Sequence, residues 1–249
     1  MVISEAVQTL ERELRSIFGS RLQSLAVYGQ RAHAGTPASP AHGAPAGHGH
    51  HALPTCTLAV VESLTADDLR GCAGRTSAWH DAGLATPLLF AAHEFEQSLD
   101  AFPLEFGAIL ADHHLVSGTN PFAALTIDPT DVRRACEVQA RSHLLHLREG
   151  FLETRGRTDA LAVLIVKSAA AFAGLITSLA RLEGHPAEDV SAAARQVERL
   201  VDLPGGAIGQ VCALAGVHDI SSAQAEQLFA PYLDAVTKIV AYVDGWSAR

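Results

Sequence analysis

The chain has 249 residues, 48% of them apolar, and a formal net charge of −9 from 27 acidic and 18 basic side chains. That length holds one large domain or two small ones around a substantial core, and the acidic balance disfavours nucleic acid as a partner. No apolar run reaches the roughly 20 residues of a membrane helix, and the amphipathic start MVISEAVQTLERELRS is unlike a signal peptide, so no membrane is expected and the protein reads as cytoplasmic.

Ser4 is placed to cap a first helix in which Val7, Leu10, Leu14 and Ile17 form one apolar stripe, with Gly19 ending it. Leu22 to Tyr28 and Cys56 to Val61 read as short buried strands. Between them, residues 32–53 are rich in Ala, Gly, Pro and His, a composition that predicts a mobile loop. Thr65 with Asp68 predicts a capping box for a helix reaching about Ala82. Thr86 to Ala91 and Ala101 to Phe106 are expected to supply two more strands, the second at a sheet edge because Pro103 lacks a donor.

After Asn120-Pro121 the pattern turns helical. Asp128-Pro129 is a helix start, Thr158 opens a second helix closed by Gly184 and Pro186, and a third covers roughly Glu188 to Leu200. Pro204-Gly205-Gly206 is a turn, and Ser221 with Gln224 starts a last helix running toward Trp246. The expected architecture is an α/β domain over residues 1–122 followed by an all-α bundle over 123–249. Cys56, Cys72, Cys136 and Cys212 form no C-x-x-C pair, which argues against a zinc ribbon or a redox dithiol.

Leu25-Ala-Val-Tyr-Gly-Gln-Arg31 and, beyond the loop, Pro54-Thr-Cys-Thr-Leu-Ala-Val-Val61 resemble the opening of a nucleotidyltransferase-fold domain. That superfamily, of polymerase-beta type, carries Gly-Ser and then Asp-x-Asp running into an apolar strand. Here Gly29 is kept, Gln30 replaces the serine, and Thr55 and Thr57 stand at the aspartate positions. A second block, Phe102-Pro-Leu-Glu-Phe106 followed by His113 to Gly118 and Asn120-Pro121, is similar to a bacterial branch of the same superfamily. The resemblance implies an α+β fold: a mixed sheet with flanking helices, then a helical bundle. It also implies a nucleotide site at Gly29, Gln30 and Arg31, with Glu105 as the surviving third carboxylate.

Transfer of a nucleotidyl group needs charge neutralisation at the attacking and leaving oxygens, for which hard Mg2+ takes anionic oxygen ligands. Neutral threonine hydroxyls do not balance a dication, so Mg2+ held by Glu105 alone is expected to be weak. The leading expectation is a catalytically impaired protein retained for nucleotide or small-molecule binding in a cleft between its domains. The alternatives are an active enzyme with a rearranged metal site, modifying a small molecule or protein, and a module that binds a protein partner or forms a homodimer.

His48, His50 and His51 crowd the predicted loop and can take up a transition metal, either adventitiously or together with Glu105. His113 and His114 read as semi-buried histidines satisfied by backbone. His143 and His146 share a helix with Glu137 and Arg141, a pair at i, i+4 spacing. Lys167 lies in an apolar helix and is expected to reach solvent or the cleft.

Overall fold

The computed structural model describes residues 3–29, 54–184 and 189–247. They divide into two compact units, the first running to Ile127 and the second starting at Asp128.

In the first unit, helix α1 (Glu5–Phe18) begins at Ser4, whose hydroxyl accepts from the Val7 N–H, and ends at Gly19. Strand β1 (Leu22–Tyr28) follows directly, and β2 (Cys56–Val61) pairs with it antiparallel. The single helix expected up to Ala82 is two, α2 (Ala66–Ala73) and α3 (Thr76–Asp81), because Gly74-Arg75 interrupts it. Strand β3 (Leu88–Ala91) lies parallel to β2, and the short helix α4 (Ala92–Gln97) leaves it.

The segment expected as a fourth strand, Ala101 to Phe106, is instead the start of helix α5 (Pro103–Ala111). Pro103 sits in its first turn, where a missing N–H leaves no bond unmade and the fixed φ is already helical. The fourth strand is β4 (His113–Gly118), antiparallel to β1, giving a mixed sheet of order β3-β2-β1-β4.

Both faces of this sheet are covered. On one, Val7, Leu10, Leu14 and Phe18 of α1, with Cys72 of α2 and Trp79 of α3, bury Leu25, Val27, Ala59 and Val61. On the other, Phe95 of α4, Phe106 and Ile109 of α5, and Phe122 bury Ala26, Leu58 and Val60. The Phe95 ring meets Phe106 and Phe122 edge-on, with centroids 5.5 and 5.6 Å apart. That geometry sets positive ring edges against negative ring faces. Each such apolar side chain contributes ~1.5–3 kcal/mol when fully buried.

Asp68 fastens the α2 start to the sheet. Its carboxylate accepts from both terminal nitrogens of Arg21, at 2.8 and 2.7 Å, and from the Thr65 N–H and hydroxyl. The Arg21 and Thr65 bonds hold its pKa far below the ordinary 3.8, so folding binds the ionised form more tightly. A depressed carboxylate contributes stability in full above the unfolded value and loses it as pH falls below that value. Melting temperatures of the wild type should therefore drop steeply below the ordinary pKa of 3.8. Asp68→Asn should start several degrees lower near neutrality and show a flatter acid limb. Parallel acid limbs for the two proteins would refute this role.

The second unit is all helical. Asp128 caps α6 (Pro129–Glu153), which packs with α7 (Thr158–Leu182) and α10 (Ser222–Asp244), while α8 (Val190–Leu200) and α9 (Ala207–Cys212) lie against α7. Asp189 caps α8, and Ser221 caps α10 through the Gln224 N–H. Leu147, Ile165, Phe172, Ile176, Tyr232, Val236 and Ile239 form the buried centre. Contrary to the expectation of no such run, α7 is long and apolar enough to cross a membrane by length and composition. Its Ile165, Phe172 and Ile176 are fully buried within the unit.

At the far end, the Glu183 carboxylate accepts from the Tyr242 hydroxyl and the Trp246 indole N–H, clasping α10 to the end of α7. Glu137 pairs with Arg141 at 3.1 Å, the i, i+4 contact expected, and Lys167 is exposed.

Candidate functional site

β1 delivers Gly29 to the end of the sheet with φ 72°, in the left-handed region that glycine enters without a Cβ penalty. Its N–H donates to the Asp112 carbonyl at 2.9 Å. One step back, Tyr28 lies opposite both Cys56 on β2 and His113 on β4. Tyr28, Gly29, Cys56, Asp112 and His113 are thus gathered at one sheet end by strand pairing.

Two of these side chains, Tyr28 and Cys56, are held neutral. Burial pushes up both the Tyr28 hydroxyl and the Cys56 thiol, with Cys56 adding to the Tyr28 shift. A thiol kept protonated is a poor nucleophile. His113 places Nδ1 at 3.2 Å from the carbonyls of Ile109 and Leu110. Nδ1 therefore carries a proton and donates to these carbonyls. The histidine is satisfied by backbone, as expected, while His114 is exposed.

Thr55 lies beside this end, half-buried, with its N–H bonded to Gly83 and its carbonyl to the Ala85 N–H, both at 2.9 Å. The turn after α3 therefore fixes its backbone. Thr57 is different. It lies opposite Val27 and is spaced by two from Ala59, so it shares the sheet face that α1, α2 and α3 cover. It is 0% exposed, and its Oγ1 has no hydrogen-bond partner.

Glu105 occupies the first turn of α5 and is exposed. The positive end of the helix dipole favours a carboxylate there, which accounts for the residue without a ligand. Since α5 packs through Phe106 and Ile109 on the opposite face, Glu105 and Thr57 belong to different sides of the sheet. The neighbouring strand expected to carry Glu105 does not exist at that position, so Glu105 is not brought to the sheet face of Thr57.

Gln30, Arg31, His48, His50 and His51 lie outside the described residues. Among the described residues, no three His, Cys, Asp or Glu side chains are grouped to hold a metal ion. Sequence reasoning passed over Asp112 and the Tyr28–Cys56 pair, which become neighbours of Gly29 only through the β1–β4 and β1–β2 registers.

No family model matches the chain, and no curated protein matches it. Among solved structures it is similar to spectinomycin adenyltransferase from Enterococcus faecialis, determined with ATP and spectinomycin. The TM-score is 0.54 at 10% identity, covering 96% of this chain and 98% of that one. The likeness shows the fold: a nucleotidyltransferase-like mixed sheet with flanking helices, followed by a helical second half.

Proposed function

We propose that this is a nucleotidyltransferase-fold protein impaired in transfer and retained for binding a nucleotide or small molecule at the Gly29 end of its sheet. The observation that carries the reading is Thr57, which the family resemblance aligns with a metal-binding aspartate and which is a neutral side chain at 0% exposure. Gly29 supports the binding half, because its left-handed backbone gives a tight turn without a side chain in the way. The similar adenyltransferase is described with ATP and a small-molecule substrate, which supports nucleotide and small-molecule ligands as the classes to test.

The test is calorimetric titration of metal-stripped protein with ATP and GTP, accompanied by an assay for released pyrophosphate. Saturable binding of one nucleotide without pyrophosphate release is expected, and Glu105→Ala should leave the affinity unchanged. Pyrophosphate release with Mg2+ would show an active enzyme and overturn the reading.

A second reading is a protein-interaction module, and one observation favours it. Val138, Leu145 and Leu152 recur at seven-residue intervals along α6, exposed at 65%, 63% and 75%. Absence of nucleotide binding under every condition would abandon the first reading and leave this one standing.

A further inference from the structure

We infer that Thr57 is a packing residue rather than the remnant of a metal ligand, and that the ligand site at the Gly29 end works without a divalent cation. The inference rests on the binding reading above for its ligand and on sheet geometry for the rest.

Side chains alternate across a strand, so residues two apart share a face. On β2 that puts Thr57 with Ala59 and Val61, opposite Val27 on β1, under the apolar layer of Leu10, Leu14, Phe18 and Trp79. A cation at Thr57 would have to enter this layer. It would be stripped of water among hydrocarbon side chains, where Thr57 offers a neutral hydroxyl and no charge. The residues present do not fit the ion. The only acid that the family resemblance assigns to the same centre, Glu105, is exposed on α5, which packs on the far face.

What fits position 57 is a β-branched side chain for the strand, and valine has the shape of threonine with a methyl in place of the hydroxyl. The Oγ1 of Thr57 is buried and unpartnered, a group whose desolvation is uncompensated. A metal ligand and a packing residue therefore respond oppositely to this one change.

Thr57→Val is expected to raise the melting temperature by ~2–4 °C, the shift that removal of one unpaired polar group gives in a chain of this size. Its nucleotide affinity should match that of the wild type within about twofold, and wild-type affinity should be the same in EDTA as in Mg2+. A lowered melting temperature in Thr57→Val would overturn the packing role. Loss of nucleotide affinity in that variant, or binding that needs Mg2+, would overturn cation-independence while leaving the binding function itself intact. Failure of the wild type to bind any nucleotide removes the ligand half of the inference together with the proposed function, and the melting comparison still decides the role of Thr57.

Discussion

Gly118→Ala is expected to destabilise the first unit by ~3–5 kcal/mol and to strip β4 from the sheet. Gly118 closes β4 at φ 83°, opposite Ser24. A Cβ built there would stand 1.9 Å from the Gln23 carbonyl oxygen, 2.8 Å from its carbon and 3.0 Å from the Ser24 Cα. All three are backbone atoms of β1, so no rotamer change relieves the overlap. The same Gln23 carbonyl accepts the Thr119 N–H at 3.1 Å, and moving it would break that bond as well.

Gly150→Ala on α6 is the fitting control. Its Cβ would approach Leu164 Cδ1 at 2.5 Å, but that atom ends a flexible side chain, and alanine favours a helix over glycine. Denaturant midpoints and amide exchange at β1 and β4 should separate the two variants clearly. If Gly118→Ala proved no less stable than Gly150→Ala, the close approach of β4 to β1 would be wrong.

The elements that were legible in the sequence carry their own boundary chemistry. Ser4 and Gly19 bracket α1, Thr65 and Asp68 cap α2, and Asp128-Pro129 opens α6, each through contacts made within a few residues. Phe102 to Phe106 misled because proline suits both an edge strand and a first helical turn. The deciding signal lay further on, in Phe106 and Ile109 three apart on one buried helix face.

The site was less legible for a different reason. β2 is buried along its whole length, so it shows no alternation of apolar and polar residues. Nothing local says which of its faces Thr57 joins; α1, α2 and α3 decide that by packing. The place of Asp112 beside Gly29 likewise depends on β4 pairing with β1, across some 80 residues of intervening chain.

The helical unit is expected to lose ~3 kcal/mol between pH 6.5 and pH 4 through His143. His143 Nε2 lies 2.6 Å from the Tyr232 hydroxyl, which lies 3.0 Å from the Ser168 hydroxyl, and Ser168 donates to the Ile165 carbonyl at 2.9 Å. Ser168 has one proton, and the carbonyl takes it. Tyr232 must then donate to Ser168, and His143 must donate from Nε2 to Tyr232. The proton added by acid therefore goes to Nδ1, and the cation forms beside the stacked Phe172 ring.

Burial lowers the His143 pKa from 6.5 to about 4, with the charge of His146 adding to it. With the folded pKa below the unfolded one, the unfolded chain binds more protons in that interval. Stability is complete above pH 6.5 and falls as pH drops toward 4. Asp68 acts below its ordinary 3.8, so the two acid effects occupy separate windows. His143→Gln keeps an N–H donor for Tyr232 but cannot take up the proton. Its denaturant midpoints should stay level across the interval in which those of the wild type decline. Equal declines would assign the acid sensitivity to another group.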